Sequence, residues 1–142
     1  ATTFTMDCYL FEFMPTEKDP VSTFIVHNHA FYRTKCVPAE PGLEQICVIP
    51  YENEGFWRAR LIFTGPENVA FNFFRLLEAQ KYTVATVIAA NGDPQAHAKA
   101  VVAVAELDKI LKRREAAADK RLAEVTRRSG VKVARMDRSI NE

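Results

Sequence analysis

No glycine or proline interrupts the chain between Pro94 and Gly130, and this stretch restricts the fold more than any other feature. Gly92 suits the end of a preceding element, Asp93 suits a helix N-cap, and proline is favoured in the first helical turn. Gly130 suits the position that follows a helix. The pattern therefore predicts one helix over about residues 94–128, roughly 50 Å long at about 1.5 Å per residue.

The predicted helix is longer than the diameter of a compact chain of this size. A compact chain of 142 residues has a diameter of about 37 Å by the scaling of size with chain length. The helix is therefore expected to project, to bend or to pack against another chain. Its apolar stripe is wide at first, as packing on a body requires, and then narrows to small residues among charges. The stripe consists of Ala100, Val104, Leu107, Leu111, Ala118, Leu122 and Val125.

The charges of the chain are divided between its two parts. Residues 109–142 hold eleven basic and five acidic side chains, a net charge of +6, whereas residues 1–108 carry −5. The whole chain is close to neutral, at +1. Every aromatic residue precedes residue 83. This asymmetry predicts an aromatic-rich acidic body, residues 1–93, and a basic helix with an extended polar arm, residues 94–142.

The basic helix and arm are the part of the sequence that points to a partner. The narrow stripe is read either as a solvated face or as a contact surface for other protein subunits, copies of this chain or different ones. The candidate partner-binding residues are Leu111, Arg113, Arg114, Ala118, Arg121, Leu122, Val125, Arg127, Arg128, Lys132, Arg135 and Arg138.

Nucleic acid is the alternative partner, because lysines and arginines neutralise phosphates whatever the base sequence. Two observations weigh against it. The basic residues are interleaved with Glu115, Asp119 and Glu124, and the arm has no aromatic side chain to stack on bases. A membrane partner is not expected, because no apolar run approaches the roughly 20 residues of a membrane span.

The body is predicted to contain a small antiparallel sheet of about four strands within residues 3–64. The strands are expected to follow one another as a meander, and Pro50 indicates an edge strand or a bulge. Trp57, Leu61 and Phe63 should share the core-facing side of the last strand. The predicted strands are Thr3–Met14, Val21–Cys36, Gln45–Tyr51 and Phe56–Thr64.

Helices are predicted after the sheet, which makes the fold class α+β. Thr64-Gly65-Pro66-Glu67 matches a capping box, so a helix should begin there. Residues 82–90 are rich in β-branched side chains and fit either a buried strand or a continuation of that helix to Ala90. The alanines and the lack of a turn signal before Asn91 favour the helix.

His27-Asn28-His29 is the only arrangement that resembles a metal site. Alternate residues of a strand point to one face, so both imidazoles could meet one zinc or iron ion. Packed histidines are the simpler interpretation. The remaining histidine, His97, is explained by an N-cap interaction with Asp93. A small metal-dependent enzyme that uses His27 and His29 is therefore a further alternative, and no cofactor is expected.

Motifs of catalytic nucleophiles and of phosphate-binding loops do not occur in the sequence. Cys8, Cys36 and Cys47 form no CxxC motif, and their odd number favours buried free thiols in a reducing compartment. The start of the sequence lacks the pattern of a secretory signal, so the expected location is intracellular or in a virion. The leading hypothesis is a non-enzymatic structural subunit, either a homo-oligomer or a virion component.

Overall fold

A computed structural model describes residues 7–18, 21–50 and 55–129, and it confirms the α+β class. A four-stranded antiparallel sheet is followed by helices, the last of which is long. The chain divides into two compact units, one that reaches Val104 and one that begins at Ala105. In chain order the elements are β1 (Asp7–Phe13), β2 (Thr23–Asn28), α1 (His29–Lys35), β3 (Ile46–Pro50), β4 (Phe56–Pro66), α2 (Glu67–Glu78), α3 (Val84–Ala89) and α4 (Pro94–Ser129).

The strands lie in the order β2-β1-β4-β3, so the predicted meander is wrong. β1 pairs with both β2 and β4 and occupies the interior of the sheet. The reason lies in its side chains: Leu10 and Phe11 are fully buried on opposite faces, and a strand that is apolar on both faces belongs where both of its edges are paired. β3 is an edge strand, as Pro50 predicted.

Two apolar clusters lie on the two faces of the sheet. The first contains Leu10, Phe63 and Phe73 and gathers β1, β4, α2, α3 and the first turns of α4. The second contains Phe11 and Tyr32 and lies between the sheet and α1. Alternate residues of β1 enter alternate clusters, so the predicted alternation of this strand is confirmed.

A β-bulge in β4 overturns the prediction that Leu61 and Phe63 share a face. Phe11 is paired with Leu61, but Leu10 is paired with Phe63, so Ile62 is an extra residue on β4. The extra residue shifts the alternation of the β4 side chains between the two faces of the sheet by one residue. Leu61 therefore packs in the second cluster, whereas Ile62 and Phe63 pack in the first.

Trp57 does not occupy the predicted core position, since 38% of its surface is exposed. It is paired with Ile49 and lies two residues before the buried Ala59, on the same face. The alternation of β4 was therefore correct up to Leu61, but Trp57 comes too early in the strand to reach the core.

The predicted second strand, Val21–Cys36, is wrong in its second half. The chain leaves the sheet at Asn28, whose side-chain oxygen accepts a hydrogen bond from the Phe31 backbone N–H at 2.7 Å. Asparagine is among the best N-cap residues, and here it starts α1. The cap outweighs the preference of the aromatic residues in this segment for strands.

Residues 67–89 form two helices, as the helical interpretation requires, but they are not continuous. Gln80 has a positive φ of 58°, which ends α2, and the Thr83 hydroxyl then accepts a hydrogen bond from the Thr86 N–H at 3.3 Å to cap α3. The predicted capping box is also wrong. β4 extends to Pro66, and the Thr64 N–H donates to the Asn91 side chain at 3.1 Å.

The long helix α4 is confirmed from its first residue. The Asp93 carboxylate accepts hydrogen bonds from the N–H groups of Gln95 and Ala96 at 3.0 and 3.4 Å, and Gly92 has a φ of 75°. The predicted arm after Gly130 lies outside the described residues. Within the described part of the chain, no helix combines the length and apolar character required to cross a bilayer.

Candidate protein-docking surface

The candidate surface lies on residues 105–129 of α4, here called the distal segment. Helix in this segment is continuous, so the positions of its side chains around the axis follow from about 100° per residue. The nine predicted partner-binding residues from Leu111 to Arg128 are all exposed. The other three, Lys132, Arg135 and Arg138, lie outside the described residues.

An apolar stripe runs along the distal segment. It consists of Leu111, Ala118, Leu122 and Val125, which lie within about 60° of one another around the helix. Leu111, Leu122 and Val125 are 46, 60 and 52% exposed. Three large apolar side chains that share one face of an exposed helix form a surface that another protein can bury.

The arginines of the distal segment do not form one surface. Arg114, Arg121 and Arg128 follow each other at intervals of seven residues and lie along one edge of the stripe, called the basic edge. Arg113 and Arg127 lie about 160–200° from Leu111, on the opposite side of the helix. The helix thus separates the predicted set into residues beside the stripe and residues behind it.

Glu115 and Asp119 lie along the other edge of the stripe, called the acidic edge. Glu115 and Asp119 are not among the predicted partner-binding residues, because in the sequence they interrupt a basic segment. Their spacing of four residues is the sequence signal that indicates an acidic edge, because residues four apart in a helix lie on the same side. The stripe therefore has a basic edge and an acidic edge.

Local ion pairs leave most of these edge charges available. Glu124 contacts Arg127 at 3.0 Å and Arg128 at 3.4 Å. Arg114, Glu115 and Asp119 make no side-chain hydrogen bond or ion pair within residues 7–18, 21–50 and 55–129. Exposed pairs such as those of Glu124 contribute about 0.2–1 kcal/mol each and do not hold the edges rigid.

The two histidines of the alternative metal site do not lie on one strand face, so the premise of that hypothesis is wrong. His27 is in β2 and its ring stacks on Phe31 with centroids 4.5 Å apart, whereas His29 begins α1 and lies 5.7 Å from the ring of Tyr9. The described residues include no group of three His, Cys, Asp or Glu placed to hold a metal ion. Both imidazoles belong to the aromatic packing around α1.

His27 should make the stability of the fold depend on pH. Burial lowers its pKa from the ordinary 6.5, and its Nε2 is buried without a hydrogen-bond partner in the described structure. The unfolded chain then binds a proton at a higher pH than the folded chain, so the free energy of unfolding should fall as the pH drops below 6.5. Urea titrations at about pH 5 and about pH 7.5 measure this difference.

The same titrations on variants assign the effect. His27→Phe should reduce the difference in unfolding free energy between the two pH values, because the ring packing is kept and the titrating group is lost. His29→Gln is the matched control from the same turn of the chain and should retain the contribution of His27. An unchanged pH dependence in His27→Phe would contradict the assignment.

The third histidine is not bound to Asp93 through its ring. The Nε2 atom of His97 lies 2.9 Å from the carbonyl oxygen of Ala90, and its ring contacts Phe63 and Phe73 edge-on. The N-cap of α4 is instead completed by backbone N–H groups. His97 therefore serves the core of the first unit and joins the end of α3 to the start of α4.

The cysteines are buried free thiols, as predicted. Burial is the main cause that raises the pKa of Cys36, to about 11, with the neighbouring Cys47 as a second cause. Burial also raises the pKa of Cys47, against a hydrogen bond with Tyr32 that lowers it. Because the thiolate is the reactive form, these residues are poor nucleophiles at neutral pH.

Comparison of the chain with protein-family models, with curated proteins and with solved structures finds no match.

Proposed function

We propose that this chain is a non-enzymatic assembly subunit that docks on other protein subunits, further copies of itself included, through the distal segment of α4. The observation that carries the proposal is the exposed stripe of Leu111, Leu122 and Val125 between two charged edges. Such a stripe supplies a place for a partner to bury apolar surface, and the edges supply a means to choose the partner.

The apolar stripe and the charges make different contributions to docking. Burying the exposed half of a leucine or valine contributes about 1 kcal/mol, so the stripe accounts for most of the binding free energy. Exposed ion pairs contribute less than about 1 kcal/mol each, and salt screens them over about 10 Å at 0.1 M. The charges therefore select the partner and its orientation more than they strengthen the contact.

Nucleic acid is the weaker candidate for the same surface. Phosphate binding would use the arginines, but it would leave Leu122 and Val125 in water and bring Glu115 and Asp119 near phosphates. The distal segment contains no aromatic residue for base stacking. A protein partner uses all of these features at once.

Solution mass as a function of concentration tests the proposal. In sedimentation equilibrium the full chain should associate, and Leu122→Asp should weaken association by at least about tenfold, since an aspartate in the stripe would be buried without a partner. Ala123→Asp is the matched control. It adds the same side chain one residue later, about 120° from Leu111 and outside the stripe, and should associate like the natural chain.

The outcomes separate the two partners. A monomer at every concentration up to the millimolar range would overturn the proposal. Equal weakening by Leu122→Asp and Ala123→Asp would also contradict it, because the stripe would then have no special role. Retention of a duplex DNA or a single-stranded RNA at low salt, lost when Arg113 and Arg127 are replaced by alanine, would favour the nucleic-acid alternative.

A further inference from the structure

We propose that the partner seated on the stripe is a second copy of this chain and that two distal segments pair side by side, parallel and in register, with the basic edge of each against the acidic edge of the other. The inference rests on the proposed function, because it names the occupant of the same surface. It adds the direction of the pairing and the residues that choose it.

The symmetry of a helix pair decides which edges meet. In a parallel pair related by a two-fold axis along the helices, each edge of one stripe faces the opposite edge of the other. In an antiparallel pair the two-fold axis crosses the helices, and each edge faces its own copy. The distal segment has Arg114 and Arg121 on one edge and Glu115 and Asp119 on the other. Opposite charges therefore meet only in the parallel pair.

The heights of these charges along the axis fit a pair in register. Arg114 and Glu115 differ by one residue, so across an in-register pair they lie about 1.5 Å apart along the axis. Arg121 and Asp119 differ by two residues, or about 3 Å. Both differences are within the reach of an arginine side chain. The two-fold axis doubles each contact, which gives four complementary pairs, whereas an antiparallel pair places arginine against arginine and acid against acid.

The same arrangement of charges is unfavourable in a single helix. Glu115 and Asp119 are four residues apart, a spacing at which like charges repel. Helices that are stabilised alone place a lysine or arginine four residues after a glutamate instead. Here the arginines that could neutralise the acidic edge lie on the other side of the stripe, out of reach within the same helix. In the parallel pair, the arginines of the second helix lie next to the acidic edge of the first.

The stripe itself agrees with a parallel pair. Leu111, Ala118 and Val125 recur at intervals of seven residues, which is the spacing of residues that meet their own copies along the seam of a parallel pair. Leu122 lies beside the seam on the side of the acidic edge, in the same row along the helix as Glu115, seven residues earlier. The small Ala118 lets the two helices approach closely in the middle of the contact.

Cysteine cross-linking of the full chain tests the direction. In the parallel pair Leu111→Cys and Val125→Cys should each form a disulfide-linked dimer alone under mild oxidation. In an antiparallel pair centred near Ala118 neither variant would do so alone, but an equimolar mixture would. Ala123→Cys, outside the stripe, is the control for random collision. The natural chain, whose three cysteines are buried, is the control for its own thiols.

Charge reversal tests the edges. Arg114→Glu with Arg121→Glu, and Glu115→Arg with Asp119→Arg, should each weaken association by at least about tenfold at low salt. In each variant the side chains at positions 114, 115, 119 and 121 all carry charges of the same sign. Mixing the two variants should restore association. The chain with all four changes exchanges the signs of the charges at these four positions, keeps its net charge, and should associate like the natural chain. Circular dichroism should show equal helix content throughout, so that loss of the helix is not mistaken for loss of the contact.

Each outcome has one meaning. Cross-linking of Leu111→Cys and Val125→Cys alone, together with recovery in the four-residue exchange, supports the pair. Cross-linking only in the mixture overturns the parallel direction and leaves the proposed function intact. A dimer that is insensitive to both charge reversals overturns the pairing of the edges and also leaves the proposed function intact. A natural chain that remains monomeric at every concentration overturns this inference and the proposed function together.

Discussion

Replacing Phe73 with alanine is expected to lower the free energy of unfolding by about 3–5 kcal/mol. Phe73 is fully buried in the first cluster, where its ring lies 4.9 Å from Phe63 and about 6 Å from Tyr82 and His97. Truncation removes the apolar burial and leaves a cavity between the sheet and three helices. The neighbouring rings are large and packed in a close-packed interior, and His97 is held by its contact with Ala90, so they close the cavity only in part.

Phe71→Ala is the matched control for this prediction. Phe71 lies two residues earlier in α2 but is 43% exposed, so the same truncation should cost less than about 1.5 kcal/mol. Urea unfolding followed by circular dichroism measures both values, with the slope of the transition as a check on two-state behaviour. Equal losses in the two variants would contradict the position of Phe73 at the centre of the core.

Removing the carboxylate of Glu12 is expected to cost about 2–3 kcal/mol. Glu12 is 8% exposed and is the cross-strand partner of Arg60, whose guanidinium donates to it at 2.8 Å. The Nε atom of Arg60 is buried and has no hydrogen-bond partner in the described structure, so the guanidinium depends strongly on this one carboxylate. In Glu12→Ala the charge of Arg60 would remain in the sheet with only the distant Glu44, at 3.9 Å, to compensate it.

A double-mutant cycle separates the ion pair from the packing. Arg60→Met alone leaves the Glu12 carboxylate without its partner and should also destabilise the fold, whereas Glu12→Leu combined with Arg60→Met should cost less than the sum of the two single changes. Arg58→Met, an exposed arginine two residues earlier in β4, should change the free energy of unfolding by less than about 0.5 kcal/mol. Additive effects of the two single changes would show that the pair does not act as a unit.

Local signals explain which parts of the fold could be predicted. Asp93 caps α4 and Gly92 adopts the positive φ that the sequence pattern required, because both depend on residues only a few positions away. The alternation of β1 could also be predicted, since successive side chains of a strand point to opposite faces of the sheet and both sets are apolar here. The second half of the predicted second strand is wrong because one hydrogen bond, donated by the Phe31 N–H to the Asn28 side chain, outweighs the strand preferences of the seven following residues.

The docking surface was predictable in its components but not in its arrangement. The stripe of Leu111, Leu122 and Val125 follows from helical spacing alone. The separation of Arg113 and Arg127 from the basic edge requires a continuous helix, because one irregular residue would rotate everything beyond it by about 100°. The acidic edge does not appear in the net charge, to which Glu115 and Asp119 contribute only as a reduction of the positive total. It appears when the two residues are placed around the helix axis.

The α+β class, the start of α4, its apolar stripe and the division of charge between the two parts of the chain can all be predicted from local patterns in the sequence. The strand order, the bulge at Ile62 that places Leu61 and Phe63 on opposite faces, and the exposure of Trp57 emerge only when the chain is folded. The two groups of features differ in the range of the interactions that set them. Caps, helical spacing and strand alternation act between residues a few positions apart, whereas strand order and register depend on which distant apolar faces bury one another.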